Sequence, residues 1–347
     1  MKALLKTTSF ITLASSTILF SEQTVPIPPA KPTAPVKAAP ETITKQPKGT
    51  ITPPVLPLVQ KGLELIVDAD FIWWKSQLSG TNFATINNKD KNLPSQFEPG
   101  FKLGVGLDLG FDGWDSYAGY TWVNQPWTKS SFKGKQLGLA NFVIPDIGLP
   151  LNFFVEKGTV SNKQQLNIAD VEIGRNFFIS KRLTLRPHFG LKLARMFEKI
   201  KISEEGVTLL NTSTSSDLFF QQSLSGVGIR AGIDTGWHVT SHLGLYGDLA
   251  VTTLWSNFHN NATSDIQPLD FQHKIKTSNS TIIPVIEAGL GISYITWLKQ
   301  ERYQLYAKAG WEEQIWINYN QIDINNVANN TGNLTMHGLT IKMGLAF

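Results

Sequence analysis

The most regular feature of the chain is a strict alternation of apolar and polar residues in segments of about ten residues or more. Side chains of a strand alternate between its two faces, so each alternating segment has one apolar face. In the last segment, 334–347, the residues between the apolar positions are small or polar, and the apolar positions are Leu339, Ile341, Met343, Leu345 and Phe347. This pattern predicts strands that hold one face in a nonpolar solvent, and a terminal aromatic strand is typical of outer-membrane barrels.

Ten segments show this alternation: 62–75, 101–111, 114–123, 166–178, 183–202, 224–239, 243–256, 281–295, 303–318 and 334–347. Each is long enough for a tilted membrane strand of about 9–11 residues. The connections alternate between short ones such as 179–182 and long ones such as 124–165, 203–223 and 257–280. The prediction is an all-β fold, an antiparallel up-and-down transmembrane β-barrel of ten strands, or of twelve if residues 131–160 contain a further hairpin.

The topology predicts two belts of aromatic residues at the ends of the strands, because amphipathic rings favour the two membrane–water interfaces. The short turns are expected in the periplasm and the long loops outside the cell. The residues expected at the outer interface are Trp74, Trp122, Trp127, Trp255 and Trp316, and those expected at the inner one are Trp114, Trp237, Trp297, Phe177 and Phe347.

The N-terminal part differs in composition from the rest. Residues 1–21 combine Lys2 and Lys6 with a short apolar run, which indicates a signal peptide, although a terminal amphipathic helix is the alternative. Residues 22–61 form a linker in which ten of the chain's 18 prolines lie between Pro26 and Pro57. Such a segment is expected to be a disordered periplasmic tail, either a plain spacer or a tether with a periplasmic contact. Residues 62–347 are the predicted barrel.

Charge and cysteine content exclude several classes of protein. The net charge of +4 arises in residues 1–61, which carry seven Lys and two Glu, whereas the rest carries 24 basic and 25 acidic residues. The barrel therefore has no concentrated basic face for nucleic acid. The chain has no cysteine, hence neither disulfides nor thiolate metal sites. A mean hydropathy of −0.09 fits a barrel, which conceals its apolar residues by alternation.

Alternation also assigns charged residues to the lumen, because charges that faced lipid would be costly. They line an ion-selective channel in one interpretation, and form a paired network that fills a narrow barrel in the other. No catalytic, cofactor or metal site is expected, since the glycine-rich stretches lack a following helix and a turn separates His238 from His242. The predicted lumen residues are Asp68, Asp70, Lys102, Asp108, Asp170, Glu172, Arg186, Lys192, Arg230, Asp234, Asp248, Glu287, Arg302, Lys308, Glu312 and Lys342.

Several segments resemble the Legionella-type pore-forming major outer-membrane protein family, which is also found in environmental relatives of chlamydiae. They are residues 68–75 (DADFIWWK), 170–178 (DVEIGRNFF) with 183–191 (LTLRPHFGL), 226–232 (GVGIRAG) and 309–316 (AGWEEQIW). The resemblance covers roughly residues 62–347, implies a pore-forming barrel in the bacterial outer membrane, and carries over no catalytic residue.

The predicted function is accordingly a porin for passive diffusion of small hydrophilic solutes or ions, and not an enzyme. A structural or adhesive barrel with a blocked lumen is the alternative, and an outer-membrane hydrolase is a third hypothesis. The expected partners are outer-membrane lipid and the barrel-assembly machinery, which would bind the C-terminal strand ending at Phe347.

Overall fold

The computed structural model describes residues 64–81, 84–86, 89–110, 112–133, 139–143, 150–208, 212–267, 271–298, 303–321 and 332–347. The predicted signal peptide and linker lie outside these ranges. The described ranges contain no helix that is long and apolar enough to span a membrane. The strands are β1 (Glu64–Leu78), β2 (Ala84–Ile86), β3 (Lys89–Lys91), β4 (Phe97–Asp108), β5 (Trp114–Lys133), β6 (Leu139–Val143), β7 (Pro150–Arg175), β8 (Phe177–Phe178), β9 (Leu183–Thr208), β10 (Ser213–His238), β11 (Leu243–Gln267), β12 (Phe271–Leu298), β13 (Tyr303–Asn320) and β14 (Gly332–Ala346).

Ten of these strands close into an antiparallel barrel, which confirms the predicted fold. The order around the wall is β1, β4, β5, β7, β9, β10, β11, β12, β13 and β14, and β14 pairs with β1 to close the circuit. At this seam Leu65 and Phe347 exchange two backbone hydrogen bonds of 2.9 Å. Closure satisfies the backbone groups that an open sheet edge would expose to lipid. Strand β6 pairs with the beginning of β7 outside this circuit, and β2 and β3 form a separate hairpin.

Tight turns join neighbouring strands at one end of the barrel, which we call the turn end; the opposite end is the loop end. Between β4 and β5, Asp112 and Gly113 have φ angles of 51° and 72°, which is the left-handed region that tight turns exploit. In the turn between β8 and β9, the Ser180 hydroxyl accepts a hydrogen bond from the N–H of Leu183 at 3.1 Å. Thr240 accepts the N–H of Leu243 at 2.9 Å in the equivalent turn before β11.

The strands are longer than the sequence predicted. Strands β9 and β10 extend to Thr208 and from Ser213, so most of the predicted loop 203–223 is strand. The predicted loops 124–165 and 257–280 likewise contain the extended ends of β5, β7, β11 and β12. The prediction was wrong here because it identified strands by an apolar outward face. Towards the loop end the outward face is polar and the inward face is apolar.

The reversal is clear on β9. Its outward residues Leu191 and Leu193 are 52% and 49% exposed, and the next outward residue is Arg195. Inward residues change in the opposite sense, from Lys192 to Met196, both buried. The same change occurs in register on the neighbouring strands, along a line that we call the boundary row: Trp122, Asn167, Arg195, Ser225 and Asn257.

The boundary row divides the barrel into two parts. The membrane segment extends from the turn end to this row and has apolar outward residues. The outer segment continues to the loop end and has mainly polar outward residues.

Two of the five residues predicted for the outer belt do not belong to a belt. Trp74 and Trp316 occupy inward positions and are 1% and 0% exposed. Trp255 and Trp237 do face outward, near opposite ends of the apolar band, and are 67% and 53% exposed. The prediction considered the height of each tryptophan along its strand but not its parity, and parity decides whether the ring meets lipid or the barrel interior.

Candidate functional site: a charged chamber beneath an apolar layer

Charged side chains occupy the inward positions of the membrane segment. On β10, Ile229 faces outward and is 72% exposed, whereas the adjacent Arg230 forms ion pairs inside the barrel. An Arg or Lys facing lipid at the bilayer midplane would cost about 2–4 kcal/mol, so the interior is the favourable place for these charges. They surround a cavity of about 350 Å³, which we call the chamber.

Arg186 on β9 connects carboxylates from three other strands. Its guanidinium donates hydrogen bonds to Asp115 at 2.9 Å, to Glu172 at 2.8 Å and to Asp234 at 2.7 Å. Gly174 makes room for it, because a Cβ atom at that position would lie 2.5 Å from the Arg186 Nε. These charge-assisted bonds hold the guanidinium in one orientation.

Arg230 and Lys192 extend the network around the wall. Arg230 donates to Glu172 at 2.5 Å and to Glu287 at 2.9 Å. Lys192 has only 1% of its side chain exposed and lies 2.8 Å from Asp170 and 2.6 Å from Glu287. Since removal of one partner would leave an uncompensated buried charge, at a cost of about 3–5 kcal/mol, these residues act as one unit.

A second cluster is centred on Asp68 of β1. Its carboxylate accepts hydrogen bonds from the hydroxyls of Tyr117 at 2.9 Å and Tyr306 at 3.0 Å. The Lys342 ammonium lies 3.4 Å from Asp68 and 3.6 Å from Asp70. Both clusters combine residues from strands that are far apart in the sequence.

The structure brings together most of the residues predicted for the lumen. Lys192 is inward but lies behind the lining, between its two acids. Asp108 lies near the β4–β5 turn and accepts the Gly110 N–H at 2.7 Å, away from the chamber. Arg302 is outside the described residues. Those that line the chamber are Asp68, Asp70, Lys102, Asp170, Glu172, Arg186, Arg230, Asp234, Asp248, Glu287, Lys308, Glu312 and Lys342.

Sequence reasoning missed two central members of the network, Asp115 and His188. The His188 ring nitrogens lie 3.0 Å from Glu172 and 3.3 Å from Asp234. Strand parity could have found both residues, because His188 shares its face with Arg186 and Asp115 lies across from Gly174 on a predicted strand.

Glu172, His188 and Asp234 are also the one compact group of potential metal ligands in the described part of the chain, with ligand atoms within 4.8 Å of one another. The guanidinium of Arg186 binds both carboxylates, and that of Arg230 binds Glu172. These fixed positive charges would repel a divalent cation, so the group is better explained as part of the ion-pair network.

An apolar layer closes the chamber towards the loop end. Nine of the ten barrel strands contribute to it, and β4 supplies Gly100, whose missing side chain leaves room for Ile72. Trp74 borders both regions, since the Lys102 ammonium lies 4.7 Å from its ring centroid. The layer consists of Ile72, Trp74, Val123, Leu166, Ile168, Ala194, Met196, Leu224, Leu254, Phe258, Ile283, Val285, Trp316, Tyr319, Leu334 and Met336.

A buried polar row lies beyond this layer, within the outer segment. Its members are aligned on five adjacent strands, four of them buried and Asn260 half-buried: Gln125, Gln164, Glu198, Gln222 and Asn260. Gln222 donates to the Tyr319 carbonyl at 3.2 Å, and Ser76 donates to Gln164 at 2.5 Å. Burial away from water raises the pKa of Glu198 to about 8. A second apolar cluster, which includes Val160, Ile202 and Phe220, covers the row on its far side.

Comparison with protein families gives one match that covers most of the chain. The family model described as the Legionella pneumophila major outer membrane protein precursor matches residues 56–347. Comparison with curated protein sequences gives no match.

Solved barrels are similar at low identity. The Escherichia coli outer membrane protease OmpT is 10% identical, with a TM-score of 0.36 over 86% of this chain and 99% of that one. A major outer membrane protein from Thermus thermophilus is 13% identical, with a TM-score of 0.35 over 83% and 100%. The Pseudomonas putida toluene transporter TodX is 11% identical, with a TM-score of 0.25 over 82% and 89%. Similarities of this size carry no information on function.

Proposed function

The chain belongs to the Legionella pneumophila major outer membrane protein family, and we propose that it is a pore-forming protein for small hydrophilic solutes or ions. It is a β-barrel of the bacterial outer membrane. The proposed path passes through the chamber and then through the apolar layer, which closes it in the conformation described above.

The chamber is the observation that supports this proposal. In a barrel of this size a purely structural lumen could be filled by side chains, yet a cavity of about 350 Å³ with charged side chains in its lining extends through the membrane segment. Its lining reaches from Asn176 and Thr184 at the turn end to Thr121 and Thr340 beneath the apolar layer. Short turns of such barrels face the periplasm, so the chamber would admit solutes from that side.

The charges of the chamber favour cations. Nine inward carboxylates line it, together with five Lys and Arg side chains. Two of the acids, Asp234 and Asp248, lie directly opposite each other on β10 and β11. Rings and rows of carboxylates are characteristic of cation-conducting pores. The nine acids are Asp68, Asp70, Asp115, Asp170, Glu172, Asp234, Asp248, Glu287 and Glu312.

A structural barrel with a permanently blocked lumen is the second candidate, and the apolar layer favours it. Leu254, Ile283 and Trp316 are each 0% exposed, so this layer leaves no path for a hydrated ion. Apolar constrictions also serve as closures that open by rearrangement. The two functions therefore differ in whether the layer can open.

Single-channel recording in planar bilayers separates the candidates. We expect infrequent, cation-selective openings of the wild type and more frequent openings of Trp316→Ala, which removes a large ring from the layer. Trp255→Ala is the matched control: it removes a lipid-facing ring whose partner on β12, Ile282, is three residues from the β12 partner of Trp316, and it should leave the opening frequency unchanged. Asp248→Asn should lower the preference for K⁺ over Cl⁻, most clearly at low salt.

Absence of conductance in both the wild type and Trp316→Ala, with each protein shown to be folded by heat-modifiable migration, would contradict the pore. The blocked structural barrel would then be the better account.

A further inference from the structure

The outward surface of the outer segment carries a group of cations on β5, β7 and β9. We call this group the basic face; it consists of Lys129, Lys163, Arg195, Lys199 and Lys201. Strand parity places all five on the side of the wall that is continuous with the lipid-facing band. The group is therefore separate from the chamber.

The basic face brings like charges together. Lys163 lies directly opposite Lys199, and Lys129 and Lys201 flank Ser161 in the neighbouring row. Side chains directly opposite each other on adjacent strands have Cβ atoms about 4.5–5.5 Å apart, and like charges in this arrangement repel.

No acid neutralises this repulsion. Among the residues that the structure describes, none of the five cations forms an ion pair with an Asp or Glu. Lys157, on the same surface, shows the contrast, since its ammonium lies 2.6 Å from Glu205. A group of neighbouring cations that has no ion-paired acid is suited to an anionic partner.

The position of the basic face, just beyond the apolar band, indicates which anionic partner it binds. Arg195 belongs to the boundary row and is the first outward residue of β9 beyond Leu193, which is 49% exposed in the apolar band. Its guanidinium lies over the Phe197 ring, 5.0 Å from the centroid. Lys199 is four residues further, which corresponds to about 13 Å along a strand. Long side chains at these positions reach the layer in which lipid headgroups lie.

We propose that the basic face binds the phosphate groups of the outer-leaflet glycolipid that surrounds the barrel. Arg195 contacts the phosphate nearest the hydrocarbon boundary, and Lys163 and Lys199 bind phosphorylated sugar above it. Arginine and lysine are the usual phosphate ligands in proteins, and several phosphates on one headgroup match several cations on one wall. The inference rests on the outward surface and is independent of whether the lumen conducts.

The test compares binding of diphosphorylated lipid A and dephosphorylated lipid A to the full-length folded protein in detergent, by native mass spectrometry. We expect the wild type to bind the phosphorylated form at least about tenfold more tightly, because cations beside the membrane surface attract anionic headgroups. The triple variant Lys163→Gln, Arg195→Gln, Lys199→Gln should lose that preference. Lys157→Gln, which removes a lysine already paired with an acid, should retain it.

Three outcomes would overturn the proposal. Equal binding of the two lipid A forms by the wild type would show that phosphate is not recognised. Retention of the preference by the folded triple variant would place the phosphate contact elsewhere. Added inorganic phosphate at the lipid concentration should not displace lipid A; if it does, the basic face is a site for free phosphate instead.

Discussion

On the strands that cross the boundary row, the membrane segment and the outer segment of the barrel have opposite polarity. On β10, outward Ile229 meets lipid and inward Arg230 is ion-paired, whereas further along the strand outward Gln221 meets water and inward Phe220 is 4% exposed. The backbone hydrogen bonding continues unchanged across the boundary row. A strand therefore does not require an apolar outward face. The polarity of its side chains matches the environment on each side of the wall.

The comparison also shows two ways of filling a barrel. The membrane segment is held by charge-assisted bonds such as those of Arg186, and leaves a cavity of about 350 Å³. The outer segment is packed by apolar side chains such as Phe258, which is 0% exposed and contacts Tyr319. Apolar side chains pack closely and fill the interior. Ion pairs hold their side chains in fixed orientations and leave unfilled space between them.

The largest expected effect tests the packing of the outer segment. Phe258→Ala should lower the free energy of unfolding by about 3–5 kcal/mol, since it opens a cavity among fully buried neighbours. Phe219→Ala, at an outward position of the same segment, should cost about 1 kcal/mol or less. Urea unfolding in lipid vesicles measures both. Equal costs for the two variants would contradict a solid core in the outer segment.

The next effect tests the boundary row itself. Ile229→Arg should cost about 2–4 kcal/mol, because it places a charge in the lipid band. Gln221→Arg introduces the same side chain on the same face of β10 beyond the boundary row, and its cost should be within about 0.5 kcal/mol of zero. Urea unfolding in lipid vesicles measures the free energy of unfolding of both variants. A large cost at both positions would mean that the lipid band extends further towards the loop end.

A third effect, small over any one pH unit, concerns the buried polar row. The pKa of Glu198 is raised from its ordinary value of 4.5 to about 8, so the folded protein binds more protons than the unfolded one between these values. Stability should therefore fall as pH rises from about 4.5 to about 8 and level off above, with a slope of about 1 kcal/mol per pH unit.

Glu198→Gln provides the control for this pH dependence. Glu204, whose pKa burial raises to about 7, contributes in the same direction, so the measured quantity is the difference between wild type and variant. Urea midpoints at several pH values give both slopes. An unchanged slope in the variant would show that Glu198 is not the titrating group.

Alternation along the chain was sufficient to predict the strands of the membrane segment, because lipid imposes the same requirement on every outward position there. It placed Arg186, Arg230 and Glu172 inward, where the structure has them in one network. It failed beyond the boundary row, where water replaces lipid outside. Segments such as 199–203 (KIKIS) still alternate, but their apolar residues face inward, and the strands extend past the bounds that the sequence predicted.

The sequence by itself determined the alternating direction of the barrel strands, limited their number to ten or twelve, and assigned most charged residues of the membrane segment to the inward face, since these depend on period two and on the solvent next to each residue. Tertiary structure decided which charges meet and where the lumen closes. Trp74 and Trp316 are 242 positions apart in the sequence, and only closure of the barrel through the β1–β14 pairing brings β1 and β13 into one apolar layer. No local sequence pattern encodes the proximity of these two tryptophans, because strand register and barrel circumference are properties of the whole circuit.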